Sequence, residues 1–134
     1  MKQTICFLIC IASFFSCKRQ PAEPVIEEPA VPGGKGGSYA IAMFPVSKGS
    51  GASGKCYIRY ASKTVPASLA EYNDSFATMV EPGYGPHAHF AGLKPGFYVV
   101  GARCTYNNQA VKGDSVIEIR DGQAYATDFN LDVK

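Results

Sequence analysis

Phe90-Ala91-Gly92-Leu93-Lys94-Pro95-Gly96-Phe97-Tyr98-Val99-Val100-Gly101-Ala102-Arg103-Cys104 is the stretch whose reading decides the fold. Lys94-Pro95-Gly96 carries turn chemistry: proline presets φ near −65°, and glycine accepts the positive φ that a type II turn needs next. Strict alternation follows. Tyr98, Val100, Ala102 and Cys104 fall on one face, and Val99, Gly101, Arg103 and Thr105 on the other. Period 2 with aromatic and β-branched residues is a strand pattern. The first set is apolar throughout, so it points inward, with Phe90 and Leu93 anchoring the same core.

Outward from this stretch the pattern repeats. Residues 39–46 read as a first strand, with Pro45 marking a sheet edge or a strand end. Residues 55–61 read as a second, with Cys56, Ile58 and Tyr60 inward. Residues 63–73 fit a short helical turn or a strand. Residues 75–81 and 87–90 read as further strands around a loop at 82–86. At the C-terminus Ile117 and Ile119 face inward, as do Tyr125, Thr127, Phe129, Leu131 and Val133. A three-residue loop, Arg120-Asp121-Gly122, would pair Ile117 with Tyr125 in a hairpin and keep both apolar sets on one face. A two-residue Asp121-Gly122 turn would put them on opposite faces. The expectation is an all-β fold: a small antiparallel β-sandwich of about seven strands.

Phe-x-Gly-Leu-x-Pro-Gly-x-Tyr-x-Val-x-Ala resembles the signature of carboxypeptidase-regulatory-like and Cna-B-like domains. These are small sandwiches of the transthyretin (prealbumin-like, Ig-like) kind. The resemblance implies a fold rather than an activity.

The chain has 134 residues, enough for one ordinary domain, and its 46% apolar and 18% charged residues are ordinary for a globular one. Residues 38–134 carry nine Lys/Arg against eight Asp/Glu, and no basic stripe is visible. Nucleic acid is therefore not an expected partner.

The first third of the chain has another character. Lys2 precedes an apolar run at 5–15, shorter than the roughly 20 residues that span a bilayer. The run closes with Phe14-Phe15-Ser16-Cys17, which resembles a bacterial lipobox with Phe14 where leucine is commonest. The resemblance implies a signal peptide at 1–16 and lipidation of Cys17, and so an outer membrane lipoprotein of the cell envelope. Several acyl chains on one residue anchor stably, at about 0.8 kcal/mol per buried CH₂. Residues 17–37 read as the anchor and a disordered stalk. Pro21, Pro24, Pro29 and Pro32 keep it extended, and Gly33-Gly34-Lys35-Gly36-Gly37 forms a flexible joint. Twenty such residues reach roughly 60 Å. The folded domain is expected at 38–134.

Chemistry-bearing residues are few. Cys6 and Cys10 lie in the leader and Cys17 is the lipid site, leaving Cys56 and Cys104 in the domain. An oxidising compartment and their shared inward parity make them a candidate disulfide, closing a loop of about 49 residues worth about 3–4 kcal/mol. The alternative is two buried free thiols. His87 and His89 share one side of a strand and are the candidate metal ligands, expected in solvent and without an obvious third ligand. Pro86-His87-Ala88-His89-Phe90 also resembles part of the iron signature of intradiol dioxygenases, where two Tyr and two His bind ferric iron. Here only the histidines match, they precede the Gly-x-Tyr strand instead of following it, and no Tyr pair accompanies them. No cofactor is implied by any complete motif, and no nucleophile elbow, Cys/His pair or phosphate loop occurs.

The expected function is a non-catalytic binding or accessory module on a lipid anchor, meeting an envelope protein or carbohydrate through loops 47–54 and 82–86. The alternatives are a metal-dependent enzyme using His87 and His89, and a structural subunit of an envelope complex.

Overall fold

The computed structural model describes residues 32–124 and 126–134. Eight strands lie among them: β1 (Lys35–Ser47), β2 (Ser50–Gly51), β3 (Ser53–Tyr60), β4 (Asp74–Ala77), β5 (Ala88–Leu93), β6 (Gly96–Tyr106), β7 (Gln109–Ile119) and β8 (Ala126–Asp132). A 3-10 turn at Leu69–Glu71 is the only helical element among the described residues. The fold is an all-β sandwich of two mostly antiparallel sheets.

One sheet runs β4-β3-β6-β7, antiparallel throughout. β6 is one of its two inner strands; it opens at Lys94-Pro95-Gly96, which is a bend with Gly96 at φ 138° and already in the strand, not the type II turn expected. Tyr98, Val100, Ala102 and Cys104 point into the core and are buried. Val99 and Gly101, on the opposite face, are buried as well. Residues 62–73 explain this, because they pass over that outer face. The Tyr72 ring lies against Gly101, and the Lys63 Nζ sits 3.7 Å from the Phe97 ring centroid. The stretch that fits either a turn or a strand therefore serves as a cover. Its one turn is held by Ser68 N–H donating to Glu71 Oε1 (3.0 Å) and by Glu71 N–H donating to the Ser68 carbonyl (3.3 Å).

The other sheet is built on β1. Ile41 pairs with Phe90 of β5 on one side and Thr127 of β8 on the other; Val46 pairs with Gly51 of β2 and Asp132 of β8. β2 and β5 thus lie end to end along one edge of β1, with β8 along the other. Pro45 falls in the gap between β5 and β2, where no partner needs its missing N–H, and its carbonyl accepts from Ala52 (2.9 Å). It is buried in the middle of a sheet, not at an edge.

The C-terminal hairpin does not form. β7 pairs along its whole length with β6, and β8 crosses to the other sheet, where it runs parallel to β1. The hairpin that does form is β6–β7, closed by Asn107 and Asn108 at φ 49° and 62°. Two consecutive positive φ values make a type I′ turn, which suits asparagine. Inward parity holds for Ile119, Leu131 and Val133, which are buried, and for Ile117 and Phe129, which pack against the core. Tyr125 lies outside the described residues.

The domain also begins earlier than residue 38. Pro32 bridges to Phe97, Lys94 N–H donates to the Gly34 carbonyl (2.8 Å), and β1 starts at Lys35. A Cβ on Gly37 would overlap the carbonyl of Leu93. Glycine there permits close backbone approach, so residues 33–37 are packed chain and not a joint. Tyr98 fastens this lead-in. Its buried hydroxyl accepts from Gly34 N–H (2.8 Å) and donates toward the Lys94 carbonyl (2.6 Å). The expected signal peptide, lipid site Cys17 and stalk up to residue 31 lie outside the described residues.

Candidate metal centre

The site is built by the excursion between β4 and β5. Glu81-Pro82-Gly83-Tyr84 forms a β-turn, with Tyr84 N–H donating to the Glu81 carbonyl (2.9 Å) and Gly83 at φ 84°. Proline then glycine at the two central positions is type II chemistry. Either side of the turn, Met79 and His87 exchange backbone hydrogen bonds of 2.7 and 2.9 Å. This ladder brings Glu81 back over the start of β5.

His87 is 1% exposed. Its ring stacks on Phe44 of β1, with centroids 5.0 Å apart, and Tyr84 tilts over it at 6.0 Å. Nδ1 lies 2.8 Å from the Gly85 carbonyl. A carbonyl only accepts, so Nδ1 carries the proton and Nε2 presents its lone pair. That lone pair meets Nε2 of His89 at 3.0 Å, the two rings standing nearly perpendicular. The Glu81 carboxylate completes the group, all three donor atoms lying within 4.8 Å of one another. It is the one such convergence of three His, Cys, Asp or Glu side chains among the described residues.

Two expectations change here. The histidines do share a side, but only His89 is exposed. Strand alternation sets direction, and it does not tell that Phe44 and the 82–86 loop close over His87. A third candidate ligand lies beside them as well: Glu81, six residues before His87 and returned by the turn. The Glu-Pro-Gly sequence was the available signal for it.

His89 also lines a cleft of about 200 Å³ with Lys35, Tyr60, Asp74, Phe76 and Phe90. Lys35 Nζ and Tyr60 Oη both donate to Asp74 Oδ2, at 2.6 and 3.3 Å. The hydrogen bond from Lys35 holds the Asp74 carboxyl below its ordinary range. A fixed ion pair therefore sits beside the three-ligand cluster. Of the two contact loops expected, 47–54 is largely absorbed into the sheet as β2 and buried Ala52. It touches the other loop where Gly51 meets Pro86.

Cys56 and Cys104 lie on neighbouring strands and face one core, as their parity leads one to expect. Both are free thiols in this structure. Cys56 pairs with Ala102 and Gly54 with Cys104, so the two cysteines are diagonal neighbours. Diagonal positions are typically about 7–8 Å apart, beyond the usual Cα reach of a disulfide. Burial, then the nearby Cys104, pushes the Cys56 thiol up to about 12, and burial raises Cys104 too. Neither is a nucleophile at neutral pH. On the outer face, Tyr72 Oη and Arg103 both bind Asp114 Oδ1. Burial and the carboxylate raise the Tyr72 phenol, which makes this a structural cross-link between the cover and β7.

Comparison with known proteins finds no protein family, no curated protein and no solved structure that matches this chain.

Proposed function

We propose that the chain is an envelope lipoprotein that presents a non-catalytic β-sandwich binding module of the carboxypeptidase-regulatory-like or Cna-B-like kind. The observation that carries this reading is the order of segments: a charged start and short apolar run, Phe14-Phe15-Ser16-Cys17, a Pro/Gly-rich tether, then a closed sandwich. Acyl chains on Cys17 hold the chain on the outer membrane, and the tether sets the module away from the lipid.

The edge carrying Phe76, Met79, Val80 and Tyr84 supports a binding role. Val80 is 69% and Tyr84 59% exposed, and both are apolar side chains flanking the loop that turns at Pro82-Gly83. Exposed apolar groups gathered on one loop are a contact surface for an envelope protein or a carbohydrate. The test is fractionation with a labelled palmitate analogue. The wild-type chain is expected to take up label and stay with membranes, and Cys17→Ala to lose both. Unlabelled wild type, or a Cys17→Ala variant that stays labelled and membrane-bound, would refute the reading.

A further inference from the structure

We propose that Glu81, His87 and His89 bind a divalent first-row transition metal ion. The inference is independent of the membrane anchor. It stands on three features of the cluster taken together.

The first is orientation. His87 cannot turn: Phe44 and Tyr84 hold its ring, and Nδ1–H is committed to the Gly85 carbonyl. A backbone carbonyl on the far ring nitrogen is the arrangement that fixes metal-ligating histidines and raises their basicity. The second is convergence. A buried imidazole directs its lone pair at a surface position shared by a second imidazole and a carboxylate. Two nitrogens 3.0 Å apart, each about 2.0–2.1 Å from a common ion, subtend about 94° there. That is a cis pair of ligands, and the carboxylate adds the third. The third is access. His89 and Glu81 are exposed, so an ion can enter from solvent.

Between two neutral imidazoles, His89 donates its Nε2–H to the His87 lone pair. An ion held by both Nε2 atoms requires that proton to leave Nε2 of His89. Two imidazoles and a carboxylate suit Zn, Cu, Fe and Ni ions over Ca or Mg. Zn(II) is the appropriate probe, because it has no redox chemistry and leaves the thiols of the chain unoxidised.

The test is titration of the full chain, extracted in detergent, with Zn(II) against a chromophoric chelator. One equivalent is expected to bind. His87→Ala opens the core, so the informative variants are the exposed His89→Ala and Glu81→Gln. Loss of a direct ligand should exceed the 10–100-fold cost of losing an outer partner, so His89→Ala is expected to weaken binding at least about 100-fold. Glu81→Gln keeps an oxygen donor but loses the negative charge, and is expected to weaken binding about 10-fold or more. In long-range ¹H–¹⁵N spectra, Zn(II) should shift the Nε2 resonances of both histidines. No stoichiometric uptake, or equal uptake by wild type and His89→Ala, would overturn the proposal and leave the pair a hydrogen bond only.

Discussion

Tyr98 shows how much one side chain settles. It is 0% exposed, it is the first inward residue after the bend, and its hydroxyl joins Gly34 to Lys94. Tyr98→Phe keeps the ring and strands those partners. It is expected to cost about 1–3 kcal/mol, seen as a lower urea midpoint at unchanged m. An unchanged midpoint would mean that water replaces the hydroxyl. Gly37→Ala tests the early start of the domain. A side chain there collides with Leu93, so the melting temperature should fall by several degrees, whereas a flexible joint would tolerate alanine. The buried thiols give a pH dependence of definite sign. The folded state keeps the Cys56 proton up to about 12, against an ordinary 9.0. The folded state therefore binds more protons between these values. The contribution is fully present below pH 9 and is lost as pH rises toward 12. Chemical denaturation across that range is expected to show a shallower alkaline decline in Cys56→Ala. From their diagonal register, both domain thiols should alkylate fully on denaturation without reductant; protection of both would show that the strands shift to form a bridge.

At the scale of elements, legibility in the sequence followed the range of the forces. The central strand was readable because its alternation is local. Inward parity at Ile119, Leu131 and Val133 was readable for the same reason. Pairing was not. The apolar faces of β7 and β8 fit a hairpin as well as they fit two separate sheets. The choice was made by β6 pairing with β7 across Asn107-Asn108 and by β1 accepting β8 in parallel. The Asn-Asn dipeptide was the local signal for that turn. Asn108 sits at φ 62°, where a β-branched side chain is strained. Asn108→Val is expected to cost about 1–2 kcal/mol, and Asn108→Gly to be neutral or stabilising. Equal stability of the two variants in thermal melts would contradict a type I′ turn. The candidate site divides in the same way. His87 and His89 stood out by spacing, whereas Glu81 reaches them only through a reverse turn and a two-residue ladder.

At the scale of the molecule, the proposed leader and tether would make the sandwich one anchored module. The sandwich gives this short domain a core of its own. Its core closes around Met43, Ile58, Leu93, Tyr98 and Val100, all fully buried, and each aliphatic one contributes about 1.5–3 kcal/mol. The described chain meets this core from Pro32 onward, through Gly34 and Lys35. The anchor is the central claim, and its direct measurement is the intact mass of the chain extracted from bacterial envelopes. The account predicts a mature protein that begins at Cys17 and carries the added mass of its acyl chains. A protein retaining residues 1–16, or one with an unmodified Cys17, would contradict it.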